Sequence, residues 1–172
     1  MLGLAIGLVI AIVLLAGLAV HFFVPETRTG THTITLDGTV EEVWDVYTDP
    51  GSLPEWRASV IEIVDLEGEP GQRAWTEVSE HGVRINFRET AFDVPTRYEL
   101  ATASEGYFEG SYFAEFEQVG PKAVRGTFTE TLTTNGFRSK LLALLFVRPK
   151  QLIEDFAHDA QREINRRSSE TQ

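Results

Sequence analysis

The chain has 172 residues, with 15 Lys and Arg against 26 Asp and Glu and a formal net charge of −11. That balance argues against nucleic-acid binding, which rests on Lys and Arg neutralising phosphates. The absence of cysteine excludes disulfides, thiolate metal sites and a Cys nucleophile.

Leu2 to Val24 is an apolar run. As a helix it reaches about 34 Å, against about 30 Å for a hydrocarbon core. No Lys or Arg precedes it, and it exceeds the apolar stretch of a signal peptide, so residues 1–24 are expected to be an uncleaved transmembrane helix. Gly3, Gly7 and Ala11 share one helical face, a spacing that suits a homodimer. Arg28 follows the run, and the positive-inside rule then favours a single-pass cell-membrane protein with its domain on the cytoplasmic side. Residues 25–30 read as a short polar linker, and the remainder is long enough for one domain with a full core.

The domain is expected over 31–167, with 168–172 as a tail. Ile34 and Leu36 alternate with Thr33 and Thr35, the pattern of a strand. Thr39 reads as an N-cap, and Glu42 completes a capping box. Val40, Val43, Trp44 and Tyr47 fall on one face of the helix that follows. Asp49, Pro50 and Gly51 end it, and Leu53-Pro54-Glu55-Trp56 reads as a second short helix.

Strand follows strand from Val60 onward: 60–64, 73–80, 83–88, 97–102, 111–118 and 122–133. His81-Gly82 reads as a two-residue hairpin turn, and Gly120-Pro121 turns the last pair. With the first strand this makes about seven, mostly antiparallel. One sheet face must take a helix. Residues 136–167 supply it, with Leu141, Leu144, Leu145, Leu152, Phe156 and Ile164 available to one stripe and a break near Arg148 imposed by Pro149.

The run Val43-Trp44, Asp49-Pro50 and Leu53-Pro54-Glu55-Trp56, between a first strand and a meander, resembles the START-like (SRPBCC) superfamily of polyketide cyclases, dehydrases and lipid-transport proteins. The resemblance covers roughly Thr31 to Arg167. It implies the α+β helix-grip fold: a curved antiparallel sheet wrapped around a long C-terminal helix, here preceded by one transmembrane helix. It also implies a cavity between sheet and helix.

Alternation sorts the strand residues for that cavity. Ile85, Phe87, Tyr98, Leu100, Tyr112, Ala114, Phe116 and Phe128 are expected on its walls, with Trp56 and Phe156 at its ends. Glu89 and Glu130 lie in phase with these inward sets. A carboxylate in an apolar cavity has a raised pKa and can act as an acid or bind a polar head group, unless a bulge turns it outward. Arg84, Arg88, Arg125, Glu77, Glu99, Glu115 and Glu117 fall in the outward sets, as cross-strand ion pairs on a wet face.

His21, His32, His81 and His158 have no metal-ligand spacing, and no nucleophile elbow, phosphate loop or dinucleotide fingerprint occurs, so neither metal nor cofactor is expected. Between Thr131 and Ile153 the chain has no acid but carries Arg138, Lys140, Arg148 and Lys150 around an apolar run. Cations flanking Leu142 and Phe146 suit the head-group region of a bilayer, although the leucines also serve as core.

The reading is a membrane-anchored protein that binds or transports a lipid or other hydrophobic small molecule. Two alternatives stand beside it: a cyclase/aromatase-like enzyme, for which no catalytic residue is assigned, and a non-catalytic protein-interaction module with a collapsed cavity.

Overall fold

In the computed structural model, residues 2–66, 68, 71–134, 136–146 and 148–170 are described, without the side chains of residues 2–4, 13, 14, 16, 21, 145 and 146. The elements run α1 (Leu2–Phe23), β1 (Thr27–Asp37), α2 (Val40–Tyr47), a turn of 3₁₀ helix (Pro50–Ser52), α3 (Leu53–Trp56), β2 (Val60–Leu66), β3 (Ala74–Ser79), β4 (Arg84–Asp93), β5 (Arg97–Ser104), β6 (Phe108–Gly120), β7 (Ala123–Thr134), α4 (Phe137–Phe146) and α5 (Pro149–Glu170). The seven strands form one antiparallel sheet in the order β1-β7-β6-β5-β4-β3-β2. Hairpins join β2 through β7 in sequence. Only the β1–β7 pair joins distant parts of the chain.

Local chemistry sets the ends of the elements. Glu42 N donates to Thr39 Oγ1 at 3.3 Å and Thr39 N donates to Glu42 Oε2 at 2.8 Å, which closes the capping box of α2. Pro149 opens α5, where its missing N–H costs nothing. The C-terminal segment is therefore two helices.

One face of α5 lies on the sheet through Ile153, Ala157, Ala160 and Ile164, all at most 3% exposed. This spacing is one helical stripe, and its two alanines bring the helix axis close to the strands. Leu141, Leu144 and Leu152 are 37%, 47% and 42% exposed, so they do not continue that stripe. The break at Pro149 takes α4 off the line of α5, and Leu152 sits beside the buried position rather than on it. The core gathers under α2 and α5. Tyr47 stacks on Phe128 at 5.0 Å, and Trp44 and Tyr47 meet Phe116 edge-on.

Residues 27–30, read as linker, form the start of β1, paired with Thr133 to Glu130 of β7. The glycine there has a packing role. A Cβ on Gly30 would lie 2.4 Å from Lys150 N, because the start of α5 crosses β1 at this point.

α1 is a helix of 22 residues, but among the described residues no helix is long and apolar enough to cross a membrane, so the transmembrane span expected over 1–24 is not supported. Its exposed side chains include Leu8, Ile12, Leu15 and Phe23. It touches α4 near Gly17, where Phe137 Cζ is 3.9 Å from the position of an added Cβ.

Candidate functional site

A cavity of about 150 Å³ lies between the concave sheet face and the first turns of α5. Trp75 and Glu77 of β3, Ile85 and Phe87 of β4, Tyr98 and Leu100 of β5, Tyr112 of β6 and Glu130 of β7 line the sheet side. Leu152, Ile153 and Phe156 of α5 close the other side, and Tyr47, Asp49, Pro50, Leu53 and Arg57 complete the wall from α2 to α3. Strand alternation selects the sheet-side set: Tyr98 and Leu100 are separated by one outward residue, as are Ile85 and Phe87.

The polar groups converge on one another. Arg57 Nη1 lies 3.8 Å from Glu77 Oε2, while its guanidinium sits over the Phe156 ring at 4.6 Å. Trp75 Nε1 donates to Glu77 Oε1 at 3.4 Å. Burial pushes the Glu77 carboxyl above the usual range, and Arg57 and the Trp75 hydrogen bond oppose the shift. Burial also raises Glu130, to about 7, with Arg57 lowering it and Glu77 raising it further. A carboxyl raised toward neutrality is placed to donate or accept a proton. The hydroxyls of Tyr47 and Tyr112 are buried without a hydrogen-bond partner, while Tyr98 also borders the recess of Glu89 and Arg73, which act on its hydroxyl; burial raises all three above the usual phenol value. Buried polar groups are normally satisfied. Two orphaned hydroxyls on residues that line the cavity mark a place built to be filled.

Of the residues assigned to the cavity from sequence, Ile85, Phe87, Tyr98, Leu100, Tyr112, Glu130 and Phe156 line it. Ala114, Phe116 and Phe128 lie on the same sheet face but belong to the solid core beside it. Trp56 packs on Phe156 at 5.7 Å from the outer side and does not reach the cavity.

Glu89 is buried, but Arg73 satisfies it: Arg73 Nε and Nη2 donate to Oε1 at 2.9 and 2.6 Å, and Arg73 N donates to Oε2 at 3.1 Å. That clamp holds it in a separate recess with Trp44, Thr48 and Val94, outside the cavity wall.

Glu77 corrects the sequence reading in the opposite sense. It was assigned to the wet face and is only 9% exposed. The β3–β4 loop holds three residues, Glu80, His81 and Gly82, with Ser79 N donating to Val83 O at 2.9 Å and Gly82 at φ +75°. A three-residue loop with glycine in the left-handed position is a standard hairpin connection. It sets Glu77 opposite Ile85 and Trp75 opposite Phe87. A two-residue turn shifts the pairing by one and sends Glu77 to the other face. Tyr47, Arg57, Asp49 and Trp75 were also unassigned. The signal for Glu77 and Trp75 was the loop length. For Arg57 and Asp49 no periodicity was available, because both sit in the turns around α3.

The cationic segment behaves differently from its sequence reading. Lys140 is buried and its Nζ lies 3.0 Å from Glu26 Oε1, so it is not a free head-group ligand. Lys150 pairs with Glu154 at 3.4 Å. Arg138 and Arg148 are exposed, and Leu142 is 40% exposed. The Phe146 side chain lies outside the described residues. Among the described residues no group of three or more His, Asp or Glu is placed to hold a metal ion.

No curated protein matches this chain in sequence. Solved structures of the same fold do. The Zhui aromatase/cyclase from Streptomyces sp. R1128 superposes with a TM-score of 0.68 at 14% identity, over 83% of this chain and 96% of that one. A conserved protein from Geobacillus kaustophilus gives 0.64 at 21% identity, over 81% and 96%. A norcoclaurine synthase from Thalictrum flavum gives 0.64 at 9% identity, over 83% and 96%. The model of one protein family, described as polyketide cyclase / dehydrase and lipid transport, matches residues 27–154. That span runs from the first residue of β1 into α5 and takes in every strand of the grip, so the chain belongs to the polyketide cyclase / dehydrase and lipid transport family.

Proposed function

We propose that the protein binds a compact hydrophobic small molecule between the sheet and α5, oriented by Glu130, the Glu77–Arg57 pair and the hydroxyls of Tyr47 and Tyr112. The observation that carries this is an aromatic cavity in which the buried hydroxyls of Tyr47 and Tyr112 have no hydrogen-bond partner. Its volume of about 150 Å³ sets the ligand class. Pockets for drug-sized ligands run from roughly 300 Å³ upward, whereas a dry cavity of about this size holds a single aromatic ring. A full acyl chain exceeds the space that Leu152, Ile153 and Phe156 close off, so a one-ring ligand is the better fit than a membrane lipid. Native mass spectrometry of the purified chain tests this. A co-purifying small molecule at near one-to-one occupancy supports it. An empty protein that also fails to bind one-ring aromatic probes overturns it.

Glu77 and Glu130 favour a second reading, an enzyme of cyclase/aromatase type. Two carboxylates with different partners, one held near neutrality, are the equipment for moving protons at a carbonyl-activated carbon. Incubating the protein with phenylacetone in deuterated water tests it. Enhanced exchange at the benzylic carbon that is lost in Glu130→Gln supports acid–base chemistry, and exchange at the buffer rate counts against it. The interaction-module reading requires a filled interior, and the open cavity speaks against it.

Membrane attachment belongs to the same proposal. Residues 2–23 contain no Asp, Glu, Lys or Arg, and α1 exposes Ile6, Leu8, Val9, Ile10 and Ile12 in succession. Removing residues 2–23 is expected to move the protein from the membrane fraction to the supernatant, and unchanged partition refutes attachment. Around Gly7 nothing lies within 4 Å and Ala11 is exposed, which leaves room for a second copy of α1; Gly3 lies outside the described side chains. Cross-linking in membranes that yields only monomer counts against that pairing.

A further inference from the structure

The cavity has more negative than positive charge. Glu77, Glu130 and Asp49 line it, against Arg57 alone. Arg57 is engaged with Glu77 at 3.8 Å, and Asp49 lies 3.5 Å from Arg167 at the outer end. Glu130 has no ion pair or hydrogen bond among the described residues, although it faces an aromatic wall. A carboxylate left alone in such a place is poorly solvated and calls for a counter-ion or a strong donor.

The surroundings favour a cation as that donor. Tyr47, Tyr112 and Phe156 line the same cavity, and aromatic faces attract positive charge. One face is already used so: Arg57 sits 4.6 Å from the centre of the Phe156 ring. Tyr112 stands directly opposite Glu130 in the β6–β7 register, so both side chains leave the sheet on the same face. The hydroxyls of Tyr47 and Tyr112 are buried and unpartnered. An ammonium group has three donors and no acceptor, and the cavity offers a carboxylate and phenol oxygens to receive them. An anion meets Glu77 and Glu130 instead. A neutral alcohol leaves the charge of Glu130 uncompensated.

We propose that the ligand of this cavity is a primary amine carried on a single aromatic ring, with its ammonium group against the Glu130 carboxylate. This rests on the cavity reading above and names the class of molecule that enters. Binding charges Glu130, so the proton it holds near neutrality is released as the amine enters. Affinity for the amine then rises between about pH 6 and pH 8, the interval around the value to which burial raises Glu130. Arg57, Glu77, Asp49, Tyr47, Tyr98 and Tyr112 are the other titratable groups of the cavity.

Three probes of similar bulk separate the outcomes: phenethylamine, phenethyl alcohol and phenylacetate. Each is titrated calorimetrically into the full-length chain in mild detergent, with the micelle-only titration subtracted. The proposal expects phenethylamine to bind about tenfold or more tightly than phenethyl alcohol, the increment of one charge-assisted hydrogen bond. It expects phenylacetate to bind weakest. In Glu130→Gln the preference for the amine collapses while the alcohol still binds, which also shows that the variant is folded. Equal binding of amine and alcohol overturns the amine assignment and leaves the cavity reading standing. Absence of binding by all three overturns both.

Discussion

Glu130 is the residue that costs the fold something. Its carboxyl is raised from 4.5 to about 7 because burial disfavours the charged form. Below pH 4.5 it is protonated both folded and unfolded, and nothing is lost. As pH rises from 4.5 to about 7 the unfolded chain has given up this proton while the folded chain still holds it, so stability falls across that window and stays low above it. Glu130→Gln removes the penalty. The variant is expected to be more stable than the parent at pH 8, by an amount on the order of 2 kcal/mol, and about equal to it at pH 4. Thermal melts at the two values check this, and a gain of the same size at both refutes the assignment. Tyr47 carries a related burden, since its hydroxyl is buried without a partner. Tyr47→Phe keeps the stacking on Phe128 and is expected to raise the melting temperature of the ligand-free protein while weakening ligand binding. A lower melting temperature indicates that the hydroxyl makes a bond in the ligand-free state.

The β3–β4 hairpin shows how one element sets the chemistry of the site. Its three-residue loop puts Trp75 and Glu77 on the cavity face, and a loop of one residue fewer puts them in solvent. His81→Asn makes an Asn-Gly turn that favours the competing two-residue loop, in which Glu80 pairs with Val83. It is therefore expected to weaken ligand binding and lower the melting temperature, because in that register a tryptophan leaves the core. Unchanged binding and melting show that burial of Trp75 outweighs the turn. The sequence carried His81-Gly82 as a turn signal but did not reveal whether Glu80 belonged to the strand or the loop. Every side chain of β3 changes face on that single choice. Strands 83–88, 97–102 and 122–133 were legible because their alternation is unbroken and their apolar sets admit one orientation only. The start of β1 was not legible, since threonines and a glycine look like linker until β7 is placed beside them. Their hydroxyls meet across the strands, as with Thr29 and Thr131 at 3.1 Å. Gly30→Ala tests the contact with α5. The added methyl has no room against Lys150 N, and a loss of roughly 1–3 kcal/mol is expected from overpacking. An unchanged melting temperature means that α5 yields without cost.

Across the whole molecule, α5 roofs the cavity with its first turns and is clasped near its C-terminus. Near its C-terminus Glu163 is 3% exposed and accepts hydrogen bonds from Arg166 and Arg167, and Arg167 Nη2 also donates to Ser52 Oγ at 3.0 Å. The Arg166 hydrogen bond, with help from Arg167, holds the Glu163 carboxyl below the usual range. This clasp contributes stability above the ordinary carboxylate pKa and loses it as pH falls through the lowered value. Ahead of α5, Arg28 Nη1 donates to Ala143 O at 2.7 Å, which ties α4 to β1. Arg167→Ala is expected to loosen the 3₁₀ turn and α3 and to speed ligand exchange, with little effect on the sheet. Hydrogen exchange reads this directly. Protection lost evenly over all seven strands shows instead that the clasp supports the global fold.

Binary alternation, a capping box and a proline between two helical stretches are local signals, and they were enough for a strand meander with its C-terminal helix on one face. That this is a helix-grip came from the resemblance carried by Val43-Trp44, Asp49-Pro50 and Leu53-Pro54-Glu55-Trp56. The inward phase of Glu130 was equally a matter of counting by two. What only the tertiary structure decided was which charges share a space. Arg73 neutralises Glu89 from the preceding loop, Lys140 turns inward to Glu26, and Arg57 and Glu77 meet from a turn and a strand that lie far apart in sequence. Strand alternation is a property of one segment, whereas the ionic state of a carboxylate depends on every element packed around it. Cavity volume is of the same kind. It is the difference between the curvature of a whole sheet and the side chains of a helix, and no single stretch of sequence contains it.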